Sequence, residues 1–332
     1  MTTPFEQAGL TRLMARGAGR PEVVVAVIDG LVALDHPGLA GRRLRILTDG
    51  GHGGDGGHGG HGGACSRAGG GGPACLHGTF VAGLLGAGRG WEPPGICPGC
   101  TLLLRPVFAA DRPAGRAAPA TRLEDLAAAV VETVDAGARV LNLSVGPDRP
   151  VGTAHRELEW ALDHAANRGV ITVVAAGNQG AVGTSVLTRH PWTIPVIAYD
   201  RRGRPMDLSN LGGSIGGRGI GAPGEAVTGL GPGDRPFALT GTSAAVPFVV
   251  GTVALLLSEF PAASPAEVRA AVLRTGSGRR RTVVPPLLDA WAAYTELLRA
   301  PDRRGGSGPF TDRRAGGSPP ARRPVPDELE FR

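Results

Sequence analysis

Residues 23–28, VVVAVI, run into Asp29-Gly30 and decide the fold. A short β-branched run without polar alternation is a strand buried on both faces, as found inside parallel sheets. Three further runs share the format: residues 139–145 (RVLNLSV), 170–175 (VITVVA) and 194–198 (IPVIA), and residues 102–107 add another. Between them apolar positions recur with helical spacing. One set is Leu123, Leu126, Ala127, Val130, Val131 and Val134; a second is Leu158, Ala161, Leu162 and Ala165, with Gly169 as the stop. Strands alternating with helices require right-handed crossovers, so the expected architecture is α/β: a doubly wound, mostly parallel sheet flanked by helices. In such a sheet the ligand site lies outside the carboxyl ends of the strands. A later helix is marked by Ser264 as N-cap, Pro265 at its first position, Glu267 closing a capping box and Gly276 at its end.

Composition narrows the function classes. Of 332 residues, 42% are hydrophobic and 19% charged, enough for a large core and incompatible with wholesale disorder. The excess of Gly and Pro in a chain with 55 and 29 of them concentrates in a Gly/His insert at residues 50–72 and a Pro/Gly/Arg-rich tail at residues 300–332, which is expected to be disordered. Residues 1–22 are then an N-terminal segment and residues 23–299 the working domain. All 35 basic residues are Arg, so the formal charge of +6 persists at any biological pH. They are scattered, and aromatic residues amount to 4%, which argues against a nucleic-acid partner. The longest apolar stretch, residues 244–257, is short for a bilayer and interrupted by Pro247, Gly251 and Thr252, so no membrane span is expected. The N-terminal residues include Glu6, Arg12 and Arg16 without an unbroken apolar run, which predicts a cytoplasmic protein. Its four cysteines are then not expected to form a disulfide framework.

Three motifs fall where such a sheet places its site. Asp29 ends a buried strand, with its backbone in the rigid sheet. His77 begins HGTFVAGLLGA, a segment read as a buried helix entered at His77, and Ser243 in GTSAAVPFVVGTVALLL opens a helix apolar on all sides. Pro247 is placed in the first turn of that helix, where a missing N–H is tolerated. A serine hydroxyl becomes a nucleophile when an imidazole takes its proton, and the imidazole works best when a carboxylate fixes its tautomer. The helix start beneath Ser243 adds free N–H groups for an oxyanion, and Asn178, at the end of VITVVAAGN, can donate to the same charge. Asp-Gly alone is usually a turn, a lone His structural and Gly-Thr-Ser a loop. All four together, each at the junction of a core element, point to catalysis.

The chain resembles the subtilisin-like (subtilase) serine peptidases from about residue 23 to residue 273. The resemblance rests on VAVIDG with Asp29, Asp35-His36-Pro37, HGTFVAG with His77, AAGN with Asn178, Ala222-Pro223-Gly224 and GTSAAVP with Ser243. It implies a serine endopeptidase with Asp29, His77 and Ser243 as catalytic triad and Asn178 in the oxyanion hole. It also implies that Ser144, Val145 and Gly146 and Ala175, Ala176 and Gly177 wall a cleft that holds extended peptide by backbone hydrogen bonds. The chain departs from the family where Gly30-Leu31 replaces the usual small residue and Gly, and where Phe80 follows His77-Gly78-Thr79 in place of a second His. Cys75-Leu76-His77, Gly95-Ile96-Cys97-Pro98-Gly99-Cys100 and Ser209-Asn210-Leu211-Gly212 resemble more closely the protease domains of cyanobactin maturation, which implies a ribosomally made precursor peptide as substrate. The competing reading is a catalytically silent relative that keeps the cleft to bind a peptide.

Other signals carry less. Cys97-Pro98-Gly99-Cys100 has metal or redox spacing, and Cys65 and Cys75 could complete a four-thiolate zinc site; free thiols or structural pairing beside His77 are the alternatives. His52, Asp55, His58 and His61 lie in the glycine insert, which would have to order itself to hold a metal. His36, His155, His164 and His190 read as surface or structural histidines. No cofactor or metal is required by the proposed chemistry, and calcium is left open.

Overall fold

The alternation read from the sequence produces a sheet in which every strand runs the same way. The computed structural model describes residues 2–47, 64–65, 72–108, 121–144, 155–231, 236–275 and 282–299. Val145, Gly146, Gly276, the metal-binding candidates His52, Asp55, His58 and His61, and the tail at 300–332 lie outside the described residues. The strands are β1 (Val24–Asp29), β2 (Val32–Ala33), β3 (Arg43–Ile46), β4 (Ala64–Cys65), β5 (Thr101–Pro106) and β6 (Val140–Leu143). They continue with β7 (Ile171–Ala175), β8 (Ile194–Tyr199), β9 (Ile220–Pro223), β10 (Val227–Gly229) and β11 (Phe237–Leu239). The helices are α1 (Pro4–Gln7), α2 (Leu10–Arg16), α3 (Pro73–Gly86), α4 (Leu123–Asp135) and α5 (Arg156–Asn167). They continue with α6 (Val186–Arg189), α7 (Gly213–Arg218), α8 (Thr242–Glu259), α9 (Pro265–Leu273) and α10 (Ala290–Arg299).

Seven strands form the main sheet in the order β3-β5-β1-β6-β7-β8-β9, all parallel. β3 and β5 lie to one side of β1 and β6 to β9 to the other, so β1 marks the topological switch point and its final residue, Asp29, borders the crevice. The side chains of β1 alternate between two apolar layers. Val25 and Val27 pack in a cluster with Phe80 and Leu84 of α3 and Phe248 of α8, whereas Ala26 and Ile28 join Leu126 and Val130 of α4 and Leu158 and Leu162 of α5. Both faces are dry, which is why the strand sequences lack polar alternation. Leu10 and Leu13 of α2 are fully buried in the first of these layers.

α8 explains the long apolar run at residues 244–257. At 18 residues it is long and apolar enough to cross a membrane, yet it is buried against α3 and strands β6 to β9 as the core helix of the fold. Pro247 is its sixth residue, not part of its first turn as the sequence suggested. A proline there withholds the N–H that would bond to the carbonyl four residues earlier, that of Ser243.

Both alternatives left open for the cysteines, structural pairing and free thiols, occur. β4 pairs with β2 in parallel and brings Cys65 to the first turn of α3, where it is bonded to Cys75 with the Cα atoms 6.1 Å apart, inside the range a disulfide spans. Cys97 and Cys100 remain free and buried.

Local signals read from sequence close as drawn at two helix ends. Gly169 takes φ of 69°, the left-handed conformation that stops α5. Ser264 caps α9: its Oγ accepts from Glu267 N–H at 3.2 Å while its own N–H donates to Glu267 Oε2 at 2.8 Å. Ser264→Ala is expected to lower the unfolding free energy by about 1 kcal/mol, read from the midpoint of a urea titration at unchanged slope; an unmoved midpoint would mean the box contributes nothing.

Candidate active site

The site begins with a carboxylate that the sheet has removed from water. Asp29 is fully buried, a costly state unless the group is hydrogen-bonded or paired. Gly30 N–H and His77 Nδ1–H both donate to its Oδ1, each at 2.6 Å. The other oxygen, Oδ2, is buried with no partner among the described residues. His77 is the fifth residue of α3, which starts at Pro73 and not at His77 as the sequence suggested. The earlier start follows from Pro73 at the first helical position, whose fixed φ suits a helix start and whose missing N–H is no loss there.

Two glycines let this helix sit directly on the chain leaving β1. A Cβ on Gly30 would collide with the Ala74 carbonyl, and a Cβ on Gly78 would collide with the carbonyls of Leu31 and Gly30. The departure from the family at Gly30 is thus a packing requirement of this chain. Burial opposes a charge on the His77 ring, but the adjacent Asp29 charge and hydrogen bond outweigh it and hold the imidazole above the ordinary histidine range. With Nδ1 committed to Asp29, Nε2 is the nitrogen left to handle a proton.

The nucleophile candidate stands on the other helix. Ser243 is the second residue of α8, so its N–H has no intrahelical acceptor. The carbonyl that Pro247 leaves unbonded, Ser243 O, accepts from Ser144 Oγ at 3.5 Å, and Ser144 Oγ in turn accepts from Asn142 Nδ2 at 2.8 Å. Ser144 directly follows β6, and β6 pairs with β1 through Leu143 and Ile28. One step further along the same register are Ser144 and Asp29, so the start of α8 is tied to the sheet end that carries the carboxylate. Helices α3 and α8 pack on each other, but among the described residues Ser243 Oγ makes no hydrogen bond to His77. Such bonds are commonly long before substrate binds.

Asn178 belongs to the same cluster through a residue the sequence reading passed over. Thr242 N–H and Oγ1–H both donate to Asn178 Oδ1, at 2.9 and 3.0 Å, and Thr242 Oγ1 accepts from Gly177 N–H at 3.3 Å. The carbonyl end of the Asn178 amide is therefore fixed, and its Nδ2 has no acceptor among the described residues. The GTS triplet was the available signal for Thr242, read only for its serine.

The cleft walls differ from one another. Ala176 N–H donates to Val196 O, Ala176 O accepts from Asn210 Nδ2 and Gly177 O from Asn210 N–H. Ala176 and Gly177 thus have their backbone polar groups bonded within the chain. On the opposite wall only Ser144 is described.

The disulfide removes the four-thiolate zinc site from consideration, since Cys65 and Cys75 are bonded to each other. No group of three or more His, Cys, Asp or Glu that could hold a metal occurs among the described residues. His164 and His190 bond to Asp135 and Asp163, and His36 caps the turn at Gly38, structural roles in keeping with their reading.

Comparison with known proteins gives the family. Residues 20–308 match the subtilase family, and the chain belongs to it. Among curated relatives, a thermophilic serine proteinase of Bacillus sp. (strain AK1) is 34% identical over 60% of this chain and 46% of that protein. Subtilisin BL of Lederbergia lenta is 34% identical over 58% of this chain and 67% of that protein. The chain thus spans from about half to two thirds of the length of these relatives. Among solved structures, the prenylagaramide maturation protease PagA is 30% identical with a TM-score of 0.73, covering 87% of this chain and 98% of that one. The patellamide maturation protease PatA is 32% identical with a TM-score of 0.69, covering 84% and 98%.

The raised His77 sets the pH dependence. The ring must be neutral to accept a proton, so kcat/KM is expected to fall with acidification at a pH above that of an ordinary histidine. Asp29→Asn removes both upward influences, so this limb is expected to move to lower pH while kcat drops by about 10⁴. A pH–rate profile checks both, and a limb that stays in place would disconnect His77 from Asp29.

Proposed function

We propose that this chain is a serine endopeptidase whose substrate is a ribosomally made precursor peptide. The observation that carries the reading is the buried Asp29 holding His77 Nδ1 at 2.6 Å, beside a helix start that bears Ser243 and clamps Asn178 through Thr242. Ser243 Oγ attacks the scissile carbonyl as His77 Nε2 takes its proton. The imidazolium, stabilised by Asp29, then passes that proton to the leaving amine. Asn178 Nδ2 and the Ser243 N–H receive the oxyanion, and water activated by His77 releases the acyl group. Every role is filled by a side chain or backbone group of this chain.

The precursor-peptide part draws support from likeness to PagA and PatA, both named as maturation proteases and both covered almost end to end by this chain. A ribosomal precursor is met in the cytoplasm, so we place the protein there. The Cys65–Cys75 disulfide weighs against that placement, because glutathione keeps cytosolic thiols reduced.

Three measurements test these proposals. Asn178→Ala is expected to lower kcat by about 10² to 10³, the loss typical of removing an oxyanion donor in a subtilase, with little change in KM. Fluorophosphonate should label the wild type and not Ser243→Ala; a wild type that resists labelling would be a peptide-binding relative without catalysis. Trapping thiols in intact cells should find Cys65 and Cys75 reduced if the protein is cytoplasmic, and a bonded pair would contradict that placement.

A further inference from the structure

Asn178 sits at the centre of a loop that ought to be loose. Residues 176–181 leave the end of β7 with Asn178, Gln179 and Gly180 all exposed, and both glycines, Gly177 and Gly180, have positive φ. Nothing in the loop's own chain fixes the position of an oxyanion donor, and effective donors must stand at a set distance from the developing charge.

Besides Thr242, one side chain from a distant part of the sequence makes most of the side-chain bonds to the loop backbone. Asn210 is 5% exposed and spends its whole amide on this segment. Its Oδ1 accepts from Gln179 N–H at 3.2 Å and Ala181 N–H at 3.0 Å, and its Nδ2 donates to Ala176 O at 3.1 Å and Gln179 Oε1 at 2.6 Å. Its backbone N–H donates to Gly177 O at 2.9 Å. The Asn210 amide thus holds the backbone on both flanks of Asn178, alongside bonds from Gly177 N–H to Thr242 Oγ1 and from Gly180 N–H to Leu208 O, and Gly177 has no room for a Cβ because the Asn210 amide occupies that space. Ser209 Oγ in turn accepts from Ala198 N–H at 3.0 Å, which anchors the strap to β8.

We propose that Asn210 is a positioning residue for the oxyanion hole: it holds the loop at the height where Asn178 Nδ2 meets the charge that forms on the substrate. The inference rests on the peptidase reading and goes beyond it. Asn210 touches no reacting atom and acts through Asn178. An aspartate at 210 keeps the two acceptor contacts but turns an oxygen toward Ala176 O and Gln179 Oε1, so it breaks the donor half of the strap.

A double-mutant cycle tests this. Asn210→Ala is expected to lower kcat about ten- to a hundredfold, as small displacements of positioned groups do, with KM changing less than kcat. Asn210→Asp, which sets an acceptor against two acceptors, should also lower kcat more than it changes KM. In an Asn178→Ala background either change should cost kcat less than about threefold, because the group it positions is gone. Equal losses in both backgrounds, or full kcat in Asn210→Ala, would overturn the proposal. If Asn210→Ala fails to fold, Asn210→Asp carries the same cycle. Fluorophosphonate labelling of the unmutated chain keeps this result separate from failure of the peptidase reading itself.

Discussion

A carboxylate kept wholly out of water, Asp29, governs the arrangement around it. The sheet supplies its position, since β1 lies at the switch point and ends on this residue. Its burial then requires donors, and these come from the Gly30 amide and from His77. To deliver His77, the first turn of α3 must lie on the chain leaving β1, which requires glycine at both 30 and 78. The disulfide from Cys65 enters α3 two residues before His77 and fastens the same turn from its other side. The electrostatic demand of one buried group thus accounts for the backbone of two segments.

The second half of the site follows from a break in a helix. α8 is apolar throughout and fits only in the core, which fixes its axis between α3 and the sheet. Pro247 frees the Ser243 carbonyl, and Ser144 at the end of β6 takes it up. The start of α8 is thereby bound to the strand next to β1. Thr242 extends the tie sideways to Asn178, so Ser243 and Asn178 are both fastened to one helix start. The dipole of that helix favours negative charge at the same place.

The central strands were legible because they are buried on both faces and therefore carry unbroken apolar runs. The edges were not: β3 alternates Arg with Leu and Ile, and β9 reads Ile-Gly-Ala-Pro, so neither shows the pattern of a buried strand. Asp29, His77, Asn178 and Ser243 could be found as ends of core elements. Thr242 and Asn210 could not be given their roles this way, since their roles lie in contacts to residues 64 and 65 positions away for Thr242 and 29 to 34 positions away for Asn210, made only by folding. The turn of α8 holding Pro247 was misplaced because the count began without knowing where the helix starts, and the Cys65–Cys75 bond depended on a two-residue pairing of β2 with β4 too short to be seen as strands.

The most direct measurement is a crystal structure of the covalent adduct formed with a peptidyl phosphonate. The phosphorus should be bonded to Ser243 Oγ, with His77 Nε2 beside that oxygen and Nδ1 still on Asp29. One phosphoryl oxygen should lie about 2.7–3.1 Å from both Asn178 Nδ2 and Ser243 N. An adduct on another residue, or a phosphoryl oxygen turned away from Asn178, would contradict the account.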